Sequence, residues 1–235
     1  MPPVPISAVL FDMDGLMIDS EGPLTHCRNA VLAPYGKQMT PELFVDLMGR
    51  PPQTADQRLV DALDLPLTGT EFRAKLDPLL REAFRTVTPL PGVVRLVHHL
   101  RKHNVPMSVA TSSRRSMFDV KAAHLPHIYN IFQGNVVCGD DPALQGRGKP
   151  DPAIFIEAAK RLGFSTPEER SRVLVFEDSV AGIQAARAAG MEAVWVPDEY
   201  LLAVLGERHG VDCSQQLSSL EEFNPAAWGL PVYDA

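Results

Sequence analysis

Five short apolar runs constrain the fold of this 235-residue chain more than any other feature of its sequence. They lie at residues 6–11, 105–110, 131–138, 172–176 and 192–196. Stretches of helical period separate several of them, at residues 93–102, 152–162 and 180–189. A run that is apolar on both faces is typical of a buried parallel strand. Strands that alternate with amphipathic helices predict an α/β fold, with a parallel sheet covered by helices on both faces.

The region between the first two runs breaks this alternation. Residues 22–90 contain several helical stretches separated by prolines, and no convincing strand. Thr40, followed by Pro41 in the first turn, is a typical helix start. The pattern therefore indicates a helical insert that follows the first strand of the sheet.

These observations predict two parts in the chain. Residues 1–18 and 91–235 are expected to form a Rossmann-like core, and residues 19–90 an inserted α-helical cap domain. An insert at the carboxyl end of a strand is well placed to act as a lid over a ligand site. After the last strand we expect irregular chain with one helix near 199–207.

The charge balance excludes several classes of partner. The net charge is −7 and the isoelectric point is about 5.5, so the chain has no basic footprint for nucleic acid or an anionic membrane. No apolar run approaches the roughly 18 residues that span a bilayer, and the N-terminus lacks the pattern of a secretory signal. Three widely spaced cysteines, Cys27, Cys138 and Cys213, indicate reduced thiols. We expect a cytoplasmic protein.

Four groups of polar residues lie at the ends of predicted strands or in a loop, and they are candidates for a reactive site. They are Asp12 and Asp14 before Gly15, Thr111 and Ser112, Lys149 before Pro150, and Glu177 with Asp178. Each group alone has an ordinary structural explanation, such as a turn, a helix cap or a solvated lysine. The carboxyl ends of parallel strands share one edge of the sheet, however, and that edge is where open α/β folds bind ligands.

Together the four groups have the chemistry needed for phosphoryl transfer. They supply a carboxylate nucleophile, a second carboxylate, hydroxyl and N–H donors, a lysine, and hard oxygen ligands for Mg²⁺. An acidic protein that binds an anionic substrate needs such a metal or a local positive charge to offset its own field. Lys149 is not a P-loop lysine, because Pro150 stands where serine or threonine is required.

The order and spacing of these motifs resemble those of the haloacid dehalogenase-like hydrolases. Within that superfamily, segments such as GKPDP, LVFEDSVAGIQAA and WGLPVY look like the pseudouridine-5′-phosphatase branch. Plant glycerol-3-phosphatases and other sugar-phosphate phosphatases look similar in the same segments. The resemblance implies a Mg²⁺-dependent phosphatase that hydrolyses a small phosphate monoester, such as a nucleoside 5′-phosphate or a sugar or polyol phosphate.

The resemblance also implies roles for the acidic residues. Asp12 is expected to attack phosphorus and form an aspartyl phosphate, and Asp14 to act as acid and then base. Mg²⁺ is expected to lie between Asp12, Asp178 and the backbone carbonyl of Asp14. Glu177 is expected either to bind the metal or to lie just outside its coordination sphere.

Further residues are expected to hold the substrate. Thr111 and the Ser112 N–H are expected to bind phosphoryl oxygens, with Lys149 balancing the charge of the nucleophile and the phosphate. In the cap, Gly49 and Arg50 resemble a specificity loop, although a solvated role for the arginine is an equal alternative.

The neighbouring charged residues and histidines receive structural interpretations. Asp19, Ser20 and Glu21 are predicted to be structural, and Arg114 and Arg115 to be surface charges. The pairs His98 with His99 and His124 with His127 are predicted to be structural rather than metal-binding.

Three other functions remain open at this stage. A phosphomutase related to β-phosphoglucomutase would share the motifs, a glycosyltransferase could use the Asp12–Asp14 pair to hold a metal, and an inactive relative could serve as a binding protein. We expect a small-molecule partner and a monomer or weak dimer, whereas the identity of the phosphate monoester is not encoded in any single motif.

Overall fold

The computed structural model describes residues 5–206 and 210–234. The predicted α/β fold is confirmed by a six-stranded sheet in which every strand pair is parallel. The strands are β1 (Ala8–Phe11), β2 (Met107–Thr111), β3 (Val136–Cys138), β4 (Val173–Glu177), β5 (Glu192–Trp195) and β6 (Gln215–Gln216). Their order across the sheet is β3-β2-β1-β4-β5-β6, so β1 and β4 are central.

Two apolar layers enclose the sheet, one on each face. Along β1, Val9 and Phe11 belong to one layer, whereas Ala8 and Leu10 belong to the other. This alternation follows from the two-residue period of a strand, and it explains why the run is apolar throughout. Phe11 stacks on Phe176 of β4 with ring centroids 5.2 Å apart.

Helices connect the strands and cover both faces. Within the described residues they are α1 (Glu21–Leu32), α2 (Pro41–Leu47), α3 (Pro52–Ala62), α4 (Gly69–Ala83), α5 (Val93–Lys102), α6 (Arg115–Ala122), α7 (Pro126–Tyr129), α8 (Ala153–Arg161), α9 (Pro167–Arg170), α10 (Val180–Ala188) and α11 (Glu199–Leu205). The helices predicted at 93–102, 152–162 and 180–189 correspond to α5, α8 and α10 within one residue at each end.

The helices α1 to α4 form the insert after β1, and α4 packs against α1 and α3. The Thr40 side chain accepts a hydrogen bond from the Leu43 N–H at the start of α2, as its position before a proline predicts. The chain leaves and returns through two adjacent segments, because the Asp19 N–H donates to the Thr88 carbonyl at 2.9 Å. The insert is thus attached beside the carboxyl end of β1.

Two predictions near the sheet edges are wrong. The strand expected at 131–138 contains only β3, because Gln133 and Gly134 have φ values of 53° and 84°, which a strand cannot adopt. The sixth strand, β6, was not predicted, since it is two polar residues long and gains its conformation by pairing with β5. The predicted helix near 199–207 is observed as α11, and its last expected residue lies outside the described ranges.

Among the described residues, none of the helices combines the length and apolar character required to cross a bilayer.

Candidate active site

The ends of β1 and β4 bring three acidic side chains together. The Asp12 N–H donates to the Phe176 carbonyl at 3.0 Å, so Asp12 continues the pairing of the two strands. Glu177 is the last residue of β4, and Asp178 follows it. One carboxylate oxygen from each of Asp12, Glu177 and Asp178 lies within 4.8 Å of the other two, and all three side chains are buried.

Lys149 lies among these acids. Its Nζ donates to Asp12 Oδ1 and, at 2.5 Å, to Glu177 Oε1. Burial alone would lower the pKa of this ammonium, but the two carboxylates outweigh it and hold the Lys149 pKa above its usual range. The cation therefore fixes the Asp12 carboxylate and offsets part of the negative charge.

One lysine does not neutralise three buried acids. Burial, together with the nearby Glu177 and Asp14 charges, raises the Asp12 pKa to about 7 despite the opposing effect of Lys149. Burial, together with the charges of Glu177 and Asp12, also holds the Asp178 pKa well above its ordinary value. A divalent cation bound by these hard oxygen donors would remove the conflict, so the donor set fits a metal such as Mg²⁺.

Asp14 has a different environment from Asp12, although only one residue separates them. Lys121 Nζ donates to its Oδ1 at 2.5 Å, Ser20 Oγ to the same oxygen at 2.7 Å, and Ser113 Oγ to Oδ2 at 2.8 Å. Burial raises the Asp14 pKa, but Lys121 and the hydroxyls outweigh it and the net pKa is lowered. The Asp14 side chain is thus held as a carboxylate outside the group formed by Asp12, Glu177 and Asp178.

The predicted phosphate-binding residues Thr111 and Ser112, together with Ser113, form a group of hydroxyls at the end of β2 that we call the hydroxyl cup. Thr111 is fully buried, and its Oγ1 accepts from the Ser113 N–H at 3.0 Å. Ser112 is half-buried, and its Oγ donates to the Gly49 carbonyl at 3.3 Å. The cup is therefore in contact with the insert as well as with Asp14.

Gly49 and Arg50 lie where the insert meets the core. Gly49 has φ of 72°, and a Cβ built on it would lie 2.3 Å from Ser179 Oγ, so only glycine fits this approach. Arg50 Nε donates to the Asp46 carbonyl at 2.5 Å, and its guanidinium lies 3.3 Å from Asp46 Oδ1. The arginine is thus already paired within the insert.

A cavity separates the strand ends from the insert. Its floor includes Asp12, Asp14 and Asp178, and Ser112 and Ser113 form one side. The opposite wall comes from the insert and consists of residues of α1, α4 and the segment around Gly49, among them Glu21, Leu24, Arg28, Arg50, Arg73, Asp77 and Leu80. A small molecule in this cavity would touch both the carboxylates and the helical insert.

A family model described as haloacid dehalogenase-like hydrolase matches residues 6–190, which is more than three quarters of the chain. The chain belongs to the haloacid dehalogenase-like (HAD) hydrolases. The predicted family is therefore confirmed.

Named relatives of this HAD hydrolase are similar along almost the whole chain. A Drosophila melanogaster protein named "Probable pseudouridine-5′-phosphatase" is 36% identical, and the match covers 97% of this chain and 96% of that protein. The (DL)-glycerol-3-phosphatase 2 of Arabidopsis thaliana is 34% identical over 97% of this chain and 93% of its own. A crystal structure of a HAD family hydrolase from Deinococcus radiodurans R1 with bound phosphate and sodium superposes with a TM-score of 0.71 at 28% identity, covering 95% of each chain.

Two residues of this HAD hydrolase that contact Asp14 received no catalytic role from the sequence. Lys121 is 2% exposed and lies in α6 one turn after the buried Met117 and Phe118. A lysine on the apolar face of a helix indicates that its ammonium group has a buried partner, and here that partner is Asp14. Ser20 was predicted to be structural, and it does hold a side chain, but that side chain is Asp14.

The other structural predictions have mixed outcomes. Arg114 is half-buried and lines the cavity, whereas Arg115 is exposed. Glu21 also lines the cavity. His99 Nε2 lies 2.8 Å from the Pro231 carbonyl and His124 Nε2 lies 2.7 Å from that of Val87.

Proposed function

We propose that this chain is a Mg²⁺-dependent phosphatase that hydrolyses a small phosphate monoester through an aspartyl phosphate on Asp12. The observation that carries the proposal is the arrangement at the cavity floor. Asp12 is bound by Lys149 beside two further acids, and Asp14 lies separately among hydroxyls and a second lysine. The names of the relatives support the phosphatase class.

Asp12 and Asp178 would hold the metal through their carboxylates, together with the Asp14 backbone carbonyl. Bound Mg²⁺ supplies positive charge next to the transferring phosphoryl group. Glu177 already accepts from Lys149 and from both the N–H and the hydroxyl of Ser179, at 2.5, 2.7 and 2.9 Å. We therefore place Glu177 as the residue that orients Lys149, outside the coordination sphere of the metal.

The first chemical step forms a bond between an Asp12 carboxylate oxygen and phosphorus. The bond from phosphorus to the leaving oxygen breaks, and Asp14 gives that oxygen a proton, which Asp14 has taken from solvent before the first turnover and from the attacking water in each later one. In the second step a water oxygen attacks phosphorus, Asp14 takes the water proton, and the bond to Asp12 breaks. The contacts of Asp14 with Lys121 and the two serine hydroxyls favour its carboxylate form, which is the form that the second step needs.

Thr111, Ser112 and Lys149 would hold the phosphoryl oxygens before and after transfer. Ser112 lines the cavity, and the buried Lys149 donates a hydrogen bond to the proposed nucleophile, Asp12. Charge-assisted donors at these positions stabilise the negative charge that the transferring group carries.

The substrate proposed is a nucleoside 5′-phosphate such as pseudouridine 5′-phosphate, or a sugar or polyol phosphate. The helical insert at 19–90 would act as a cap that contacts the leaving group, with Gly49 and Arg50 at its edge. We further propose a cytoplasmic enzyme that is a monomer or weak dimer. We also propose that it binds no nucleic acid or membrane, because its net charge is −7.

The test is inorganic phosphate release from a panel of phosphate monoesters, measured with Mg²⁺ and with EDTA. The panel contains pseudouridine 5′-phosphate, other nucleoside 5′-phosphates, glycerol 3-phosphate and hexose phosphates. We expect Mg²⁺-dependent release with one clear preference, and none from Asp12→Asn. Rearranged sugar phosphate without phosphate release would instead identify a phosphomutase, and turnover that survives in Asp12→Asn would refute the role of Asp12.

A further inference from the structure

The two helices that line the cavity present mixed faces to it. In α1 the lining residues are spaced by three and four positions, which places them on one side of the helix, and they are Glu21, Leu24 and Arg28. The lining residues of α4 have the same kind of spacing and are Arg73, Asp77 and Leu80. Each face thus has polar groups and a leucine, so the wall suits a ligand with both polar and apolar parts.

Arg28 is unusual among the charged residues of this wall. Its side chain is buried, at 5% exposure, and its guanidinium makes no hydrogen bond to any residue in the described ranges. Its Nε in particular is fully buried without a partner. A buried N–H donor without an acceptor carries a full desolvation cost, and the other N–H groups of the Arg28 guanidinium also lack an acceptor within the described residues. An acceptor from a bound molecule would remove that cost.

Most other cations of the cavity wall already have a carboxylate partner. The pairs are Arg50 with Asp46, Arg73 with Asp56 and Asp77, and Lys121 with Asp14. Arg114 donates to the side-chain oxygen of Gln53. Among the cavity-lining cations of the described residues, Arg28 is therefore the one whose guanidinium has no protein acceptor.

The charge around Arg28 argues against a second anionic group on that ligand. The charges of Glu21 and Asp56 favour its charged form, whereas burial and the positive charge of Arg73 oppose it. Asp77 and Asp56 already offset Arg73. The surroundings have no excess positive charge, so a phosphate or carboxylate gains little there, whereas a neutral oxygen can accept from the guanidinium without adding charge.

The position of Arg28 on α1 indicates how the ligand would extend through the cavity. Glu21 begins α1 beside the Asp14 region, and Arg28 follows seven residues later, which corresponds to about 10 Å along a helix. Asp12 and Arg28 line the same cavity, so a ligand with its phosphate at Asp12 can extend along α1 towards Arg28. The apolar Leu24, Leu80 and Phe84 line the cavity as well and would pack against the middle of a longer leaving group.

We propose that Arg28 recognises the leaving group of the substrate by donating hydrogen bonds to a neutral oxygen at its end remote from the phosphate. This inference rests on the proposed phosphatase function and specifies its substrate class. The acceptor is either a carbonyl, as on the base of a nucleoside 5′-phosphate, or a hydroxyl, as on a hexose phosphate.

The experiment compares Arg28→Met and Arg28→Lys with the unaltered enzyme on four kinds of substrate. Pyrimidine nucleoside 5′-phosphates carry a remote carbonyl and glucose 6-phosphate carries remote hydroxyls. Phenyl phosphate carries no oxygen beyond its phosphate group, and glycerol 3-phosphate carries only hydroxyls close to it. Arg81→Met, an exposed position of α4, is the matched control. Values of kcat and KM are measured separately with saturating Mg²⁺.

We expect Arg28→Met to lower kcat/KM on the preferred long substrate by about 10- to 100-fold, which is the effect of losing a hydrogen bond to a charged group. Phenyl phosphate should change by less than about threefold, and this activity also reports that the variant is folded. Arg28→Lys should recover part of the loss, and Arg81→Met should have no effect. Loss on the nucleoside phosphates identifies a carbonyl acceptor, and loss on glucose 6-phosphate identifies a hydroxyl.

Two results would overturn the proposal. One is an equal loss on long and short substrates, which would show that Arg28 supports the cap structure only. The other is unchanged kcat/KM on every substrate. If the unaltered enzyme releases no phosphate from any compound, the proposed phosphatase function itself fails, and this outcome is distinct from the other two.

Discussion

Replacing Glu177 by glutamine tests how this residue acts at the cavity floor. The Glu177 side chain is fully buried and accepts from Lys149 through one oxygen and from Ser179 through the other. Glutamine keeps only one of these oxygens, so its NH₂ group must face either the ammonium or the two Ser179 donors. At least one buried donor then loses its acceptor, and the ion pair with Lys149 is lost in both cases.

The expected cost is about 2–4 kcal/mol of unfolding free energy. Hydrogen bonds to charged groups contribute about 1.5–3 kcal/mol, and breaking a buried ion pair costs about 3–5 kcal/mol when one charge is left unpaired. Lys149 retains Asp12 as a partner, so the lower part of that range applies. For a chain of this length the loss corresponds to a fall in Tm of roughly 5–15 °C.

The assay is urea unfolding of the EDTA-treated protein, followed by circular dichroism, and then repeated with saturating Mg²⁺. The structure predicts that Glu177→Gln loses stability without metal, because its bonds are to protein groups. If Glu177 were instead a metal ligand with no structural role, the EDTA-treated variant would be as stable as the parent, and only the gain from Mg²⁺ would shrink. That result would refute the assignment of Glu177.

Three further predictions concern the same region. Asp178→Asn should be more stable than the parent in EDTA at pH 8, because the raised Asp178 pKa reflects a buried carboxylate among like charges. The variant should also lose the gain in stability that Mg²⁺ gives the parent. Unfolding curves that show the parent's Mg²⁺ response would contradict this. Gly49→Ala should lower stability by about 1–3 kcal/mol because the backbone φ is positive, and by more because the new Cβ would clash with Ser179. Turnover should fall as well, and an unchanged Tm would contradict this prediction. The Asp12 pKa, raised to about 7, means that the metal-free folded state holds this proton longer than the unfolded chain does. The stability that protonated Asp12 contributes is therefore present at low pH and lost as the pH rises through about 7. Calorimetry should show that Mg²⁺ stabilises the protein more at pH 8 than at pH 6. A gain in stability that is independent of pH would contradict this prediction.

Much of the fold follows from local sequence patterns. The central strands are apolar on both faces because both faces are covered, and this signal located β1, β2, β4 and β5 to within two residues at each end. The edges of the sheet were harder, because β6 owes its conformation to pairing with β5 and has no apolar pattern of its own. The run before β3 is interrupted by left-handed backbone at Gln133, which composition does not reveal.

The sequence predicted those site residues that lie at the carboxyl end of a strand. Asp12, Thr111 and Glu177 could be placed at one edge because parallel strands share a direction. Lys121 and Arg28 were not identified, because each reaches the cavity from a helix whose rotation depends on tertiary packing. The phosphatase class is supported by relatives of known name, whereas the leaving group depends on those helix faces and requires the experiments described above.

The central claim is that Asp12 becomes phosphorylated during turnover. The most direct measurement is a single-turnover reaction with substrate labelled in the phosphoryl group, stopped with acid and followed by peptide mapping. We predict Mg²⁺-dependent label on the peptide that contains Asp12, appearing before free phosphate and absent from Asp12→Asn. Full release of labelled phosphate with no protein-bound label at any time would contradict the account.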